Sequence, residues 1–244
     1  MVRAKNILIS CAICLIGFII FSFRANTKGK VIIEFKNYAG SSILQLDSTY
    51  QNALGQDFVI ANFKYYVGNI CLKEISGKNY IAKDYFLVSE HEDESKQIIL
   101  NDVPEGNYTA IEFIIGVDSL HNCSGLQQGA LDPTKGMFWA WNTGYVFLKL
   151  DGHATASKSE GHIFEYHIGG YKQPTNSIRK ITLNFKGNKT VSSTNPLSIL
   201  IKANALEVLK TPTTIDFSKL PSVTDTRNAY IIANNYMDMF SLLN

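Results

Sequence analysis

The chain has 244 residues, of which 45% are hydrophobic and 18% charged, enough apolar mass for one sizeable core and too much for an intrinsically disordered segment. Its formal charge is +2, with the basic residues scattered along the chain, which excludes a nucleic-acid surface built on charge. Electrostatics alone names no partner.

The first segment has the three-part texture of an export signal. MVRAKN carries Arg3 and Lys5, the run from Ile7 to Phe23 is apolar without a charge, and RANTKGK is polar again. The run lies between the core of a signal peptide and a minimal membrane span. Residues 1–25 are therefore expected either to be removed as a signal peptide or to stay as a signal anchor, and the protein to be periplasmic or extracellular. Leu8-Ile9-Ser10-Cys11 has the form of a lipobox, but most of the apolar stretch follows the cysteine instead of preceding it, so lipidation there is not expected. Beyond the signal only Cys71 and Cys123 remain, in a compartment that permits disulfides. Pairing and two separate thiols are both open.

From residue 26 to 210 short β-rich runs recur. In the first half they are VIIEF (31–35), FVIANFKYYVGNICL (58–72), YFLVS (85–89), QIIL (97–100) and NYTAIEFIIGV (107–117). MFWAW (137–141), YVFLKL (145–150), IFEYHI (163–168), RKITLNF (179–185) and LSILIKANAL (197–206) follow. Ten strand candidates with almost no amphipathic helix predict an all-β antiparallel sandwich or barrel. Pro104-Glu105-Gly106, Asp132-Pro133 with Gly136, Asn142-Thr143-Gly144 and Lys186-Gly187-Asn188 have the chemistry of hairpin connections. Asp93–Lys96 reads as a solvated loop tip.

Residues 211–244 differ in texture and read as a partly helical extension packed on the same domain. Ala229, Ile232, Ala233, Tyr236, Met237 and Phe240 fall at helical spacing. No repeat and no linker divides the chain after residue 30.

No GxSxG elbow, Walker loop, HExxH or mature CxxC is present, and no nucleophile and base arrangement supports an enzyme. A borderline metal would draw on His91, His121, His153, His162 and His167. In IFEYHIGG the period of two places Ile163, Glu165 and His167 on one face and Phe164, Tyr166 and Ile168 on the other, with the aromatic face expected in the core. His167 then sits at a strand end before Gly169-Gly170, where a ligand can approach. His121 lies in the polar loop after IIGVDSL, and loops carry binding groups. Trp139 and Trp141, at i and i+2, would stand side by side on a strand, most simply as a packed aromatic pair.

The order of these pieces resembles the MbnP-like copper-binding protein family across most of residues 31–207. IGVD followed by an Asn-containing loop, MFWAW with GY, and an aromatic residue before HIGG occur in that sequence order. The resemblance implies a secreted or periplasmic β-sandwich whose relatives bind copper through histidines and a tryptophan oxidised to kynurenine by a di-haem peroxidase-like partner. Carried over residue by residue, it implies His121, His167 and one of Trp139 and Trp141 as the metal-binding set. Here the loop reads HNCSG where an Asn-His order is expected, and HIGG lacks a following cysteine. The alternative from the residues alone is a metal-free envelope module whose aromatic strand and Tyr145 recognise a peptide, glycan or protein.

Overall fold

The computed structural model describes residues 27–139 and 144–243. The expected export segment, Trp141 and most of the expected Asn142-Thr143-Gly144 turn lie outside the described residues.

Each of the ten predicted runs contains a strand, and four further short strands lie outside them. In the first half they are β1 (Lys28–Ala39), β2 (Ser42–Ile43), β3 (Thr49–Gln51), β4 (Asp57–Glu74), β5 (Tyr80–Ser89), β6 (Gln97–Pro104) and β7 (Gly106–Ile115). A short helix α1 (Ser119–Cys123) then leads to β8 (Phe138–Trp139), β9 (Gly144–Ala154), β10 (Ile163–Gly169), β11 (Arg179–Val191) and β12 (Leu197–Asn204). The chain ends in β13 (Ser222–Val223), helix α2 (Thr226–Asn235) and β14 (Phe240–Leu243). Among these residues no helix is long and apolar enough to cross a membrane.

Two sheets form a sandwich. The smaller runs β14-β12-β1-β2, with β6 also on β1; the larger runs β11-β7-β4-β9-β10-β13, with β3 and β5 also on β4 and β8 on β9. Most pairs are antiparallel, but β1 runs parallel to β12 and β13 parallel to β10, so the sheets are mixed. In β1 the side chains of Val31, Ile33 and Phe35 are buried in alternation, as a strand with one face on a core requires. Phe35 meets Tyr65, Phe113 and Phe240 edge to face, which locks the two sheets together.

Strand β4 positions the candidate site. It pairs with β9 from Phe58 to Tyr65, with β7 from Val67 to Glu74, and with β5 from Lys64 to Leu72. Because β5 overlaps both of the others, β9 and β7 share the opposite edge, and a fork opens between them at Tyr66. Gly116 closes the fork by donating its N–H to the Tyr66 carbonyl.

Several expected turns serve other purposes. Pro104-Glu105-Gly106 carries the chain from β6 in the smaller sheet to β7 in the larger one, so it is a sheet crossing and not a hairpin. Lys186-Gly187-Asn188 is a bulge within β11, whose two parts both pair with β7. Asp132-Pro133 opens a single 3-10 turn that Gly136 ends in the left-handed region, at φ 72°. Of MFWAW only Phe138–Trp139 is strand among the described residues.

The C-terminal extension is built into both sheets. Helix α2, capped by Asp225 accepting the Arg227 N–H, buries Ala229, Ile232 and Ala233 as its spacing predicts. Met237 is instead exposed, and Phe240 belongs to β14 and not to the helix, because the chain straightens there to pair with β12. Cys71 is buried and Cys123 exposed, and both are free thiols.

Candidate functional site

The outer face of the larger sheet carries the chemistry. In β10 Phe164, Tyr166 and Ile168 are fully buried in the sandwich, so His167 points outward with Glu165, as the period of two predicts. Register sets His167 opposite Lys149, and Asp151 between Glu165 on one side and Asn62 on the other. Cross-strand partners share a face, so these groups form one polar patch.

Within it the His167 Nε2 lies 2.9 Å from Asp151 Oδ1. The distance suits an ion pair, but the angle does not suit a hydrogen bond. His167 Nε2, Asp151 Oδ1 and Asn62 Oδ1 are all buried without a hydrogen-bond partner among the described residues. The second Asp151 oxygen is supported weakly, by the Asn62 amide at 3.5 Å and Lys149 Nζ at 3.7 Å.

His121 stands on α1, which Asp118 caps. One Asp118 oxygen accepts both the His121 backbone N–H and ring Nδ1, each at 2.9 Å. The other accepts the Tyr85 hydroxyl at 2.8 Å, and that hydroxyl accepts the Asp118 N–H. Partial burial pushes the Asp118 carboxyl up, but the bonds from His121 and Tyr85 outweigh it and hold the group below its ordinary range. Burial is the main cause that pushes the Tyr85 hydroxyl well up. Asn122 fastens the helix: its amide donates to the carbonyls of Val117 and Asp118, and its Oδ1 accepts the Tyr145 N–H at the start of β9. Cys123 Sγ lies 3.3 Å from the Tyr171 hydroxyl.

Trp139 is only 2% exposed and packs in a second apolar cluster with Tyr66, Tyr85, Met137, Tyr145 and Phe147, under the loop that contains α1. Its ring lies over Gly169, where a Cβ would come within 2.7 Å of the indole and 2.5 Å of the Tyr145 carbonyl. That position needs glycine for contact. The indole Nε1 is buried without a partner among the described residues. Beside the ring is a cleft of about 160 Å³ walled by Gly144, Gly170, Tyr171, Lys172 and Thr226.

The structure therefore brings His167 and Trp139 onto one face, two strand positions apart through Gly169, and ties α1 to the same end of β9 as Trp139. His121 itself contacts Tyr85 and Asp118. His167 is level with Lys149 and α1 with Tyr145, levels on the order of 13 Å apart at the rise of a strand. Trp139 and Tyr145 are buried, so they offer no aromatic recognition face. Among the described residues the other histidines meet only backbone carbonyls: His91 that of Ala61, His153 that of Gly161 and His162 that of Ser157.

Among the described residues no three His, Cys, Asp or Glu side chains converge. What the donors offer is two imidazoles, each with one nitrogen against a carboxylate. At His121 the hydrogen bond orients the ring and leaves the second nitrogen for an ion, at His167 the carboxylate stands close without one, and the two rings do not converge, so each imidazole singly suits a borderline cation such as copper. An unmodified indole N–H only donates and adds no ligand. Asp118, Tyr85, Asp151 and Asn62 were not singled out in the sequence. The Asp118–His121 spacing is a readable helix cap, whereas Asp151 reaches His167 only through strand pairing.

The MbnP family model matches residues 28–226. The solved structure of MbnP from Methylosinus trichosporium is similar, with a TM-score of 0.52 over 78% of this chain and 80% of that one. At 15% identity the likeness is one of fold. No curated protein matches the chain.

Proposed function

The chain belongs to the MbnP family, and from that premise we propose that it is an exported copper-binding or copper-handling protein of the cell envelope, a binding protein and not an enzyme. The observation that carries this reading is the contrast among the histidines. His121 and His167 each hold one ring nitrogen 2.9 Å from a carboxylate oxygen, whereas His91, His153 and His162 meet carbonyls. A carboxylate on one imidazole nitrogen fixes the tautomer and makes the other nitrogen the better ligand.

In this reading His121, whose ring Asp118 orients, offers Nε2, and His167 offers its own imidazole at a separate point of the same face. Bound copper would supply a cation held for storage or transfer. Trp139 or Trp141 is the ring that a di-haem peroxidase-like partner would convert to kynurenine, whose amine and ketone add donors that an indole lacks. The charged-apolar-polar texture of residues 1–30 supports a location in the periplasm or outside the cell, and on the membrane only if that segment is retained.

The test is a competition titration of the metal-free protein with copper. His121→Ala and His167→Ala are each expected to weaken binding by about tenfold or more. Unchanged affinity in both variants would sink the assignment. Intact-mass analysis of protein from its native host reads the tryptophan oxidation directly.

A further inference from the structure

We infer that Asn62, Asp151 and His167 form a site for a borderline divalent cation on the outer face of the larger sheet, without His121 or Trp139. The inference shares His167 with the copper reading and differs from it in the remaining ligands.

Three atoms carry it. Asn62 Oδ1, Asp151 Oδ1 and His167 Nε2 are each buried and lack a hydrogen-bond partner among the described residues. Buried polar groups are ordinarily satisfied, and one left bare costs stability, so three on one patch call for a common partner. Adjacent strands hold them: Asn62 on β4 is in register with Asp151 on β9, and Asp151 Oδ1 lies 2.9 Å from His167 Nε2 on β10. Two of the three are oxygen acceptors, and the imidazole Nε2 is a third in the tautomer that carries its proton on Nδ1. A water molecule donates only two hydrogens, whereas a cation satisfies three acceptors together.

The donor set of one imidazole, one carboxylate and one amide oxygen selects the class of ion. Nitrogen with oxygen suits Zn(II), Cu(II) or Ni(II), and the absence of sulfur from these three side chains makes it a poor match for Cu(I). The surrounding charges nearly balance. Glu165 is the register partner of Asp151, while Lys149 Nζ lies 3.7 Å from Asp151 Oδ2 and Lys64 is in register with Lys149. Lys149 thus opposes a cation at Asp151 and keeps the site weak.

The experiment uses the full chain stripped with chelator, titrated with Zn(II), Cu(II) and, under reducing conditions, Cu(I). Asp151→Asn should weaken Zn(II) and Cu(II) binding by about tenfold or more. Lys149→Gln should tighten it severalfold by removing the like charge. His153→Ala, whose ring meets only the Gly161 carbonyl, should leave it unchanged, and electron spin-echo spectroscopy of the Cu(II) form should report a single imidazole, lost in His167→Ala. Two imidazoles, one of them lost in His121→Ala, would overturn the inference and leave the copper reading standing. Zn(II) and Cu(II) affinities equal in the wild type, Asp151→Asn and Lys149→Gln would also overturn it, the three atoms then being served by water. The copper reading fails separately if Cu(I) affinity is unmoved by both His121→Ala and His167→Ala. Should Asp151→Asn fail to fold, Lys149→Gln and the spectrum decide alone.

Discussion

Tyr85 and His121 meet edge to face, with ring centroids 4.8 Å apart, and the Asp118 carboxylate bonds to both. A phenol from β5 thereby anchors a short helix that begins after β7. Since so short a helix has little stability of its own, its position depends on these tertiary bonds.

Tyr85→Phe keeps the ring contact and removes the hydroxyl. The Asp118 carboxylate and N–H each lose a partner, so the variant should be destabilised by about 1 kcal/mol in denaturant unfolding. Metal affinity at His121 should fall with it, because Asp118 then orients the imidazole less firmly.

Gly169→Ala places a methyl group against the Tyr145 carbonyl and the Trp139 ring. Backbone cannot retreat as a flexible side chain does, so the cost should be about 1–3 kcal/mol. A shift in tryptophan emission, measured with Trp141→Phe as background, would report displacement of Trp139.

Asp216 predicts the response to acid. Hydrogen bonds from Ser218 and Gln56 hold its carboxyl far below its ordinary range. A depressed carboxylate contributes stability above its unfolded-state value, and that stability is lost as pH falls towards the folded one. Asp216→Ala should therefore melt below the wild type at pH 7. The gap should narrow below about pH 4, where the unfolded carboxyl takes up its proton. A gap independent of pH would refute the assignment.

Phe240 reads out whether the C-terminal extension is part of the core. Its ring meets those of Phe35, Tyr65 and Phe113, one strand from each of several places in the chain. Phe240→Ala should cost about 3–5 kcal/mol, as for other fully packed aromatic rings. A cost under 1 kcal/mol would show the extension to be dispensable.

Alternation of apolar and polar residues was enough to locate ten of the fourteen described strands, the inward face of β10 and the outward direction of His167, because the period of a strand is a local property; β2, β3, β13 and β14 are too short to show it. The amphipathic spacing of α2 was legible for the same reason up to Tyr236. The pattern failed at Met237 and Phe240, where pairing with β12 overrode helical spacing, and at Pro104-Glu105-Gly106, whose turn chemistry is the same whether the chain reverses within a sheet or crosses between two.

The candidate site divides along the same line. Residue types and their order determined which histidines and tryptophans to consider, and Asp118 could be reached from His121 by counting three positions along the chain. Only the tertiary structure decided that Asp151 and Asn62 stand beside His167, that Tyr85 leans onto His121, and that Trp139 is buried over Gly169. Those contacts depend on which strands pair and in what register, and register is settled by the burial of the whole sheet, not by any segment within it.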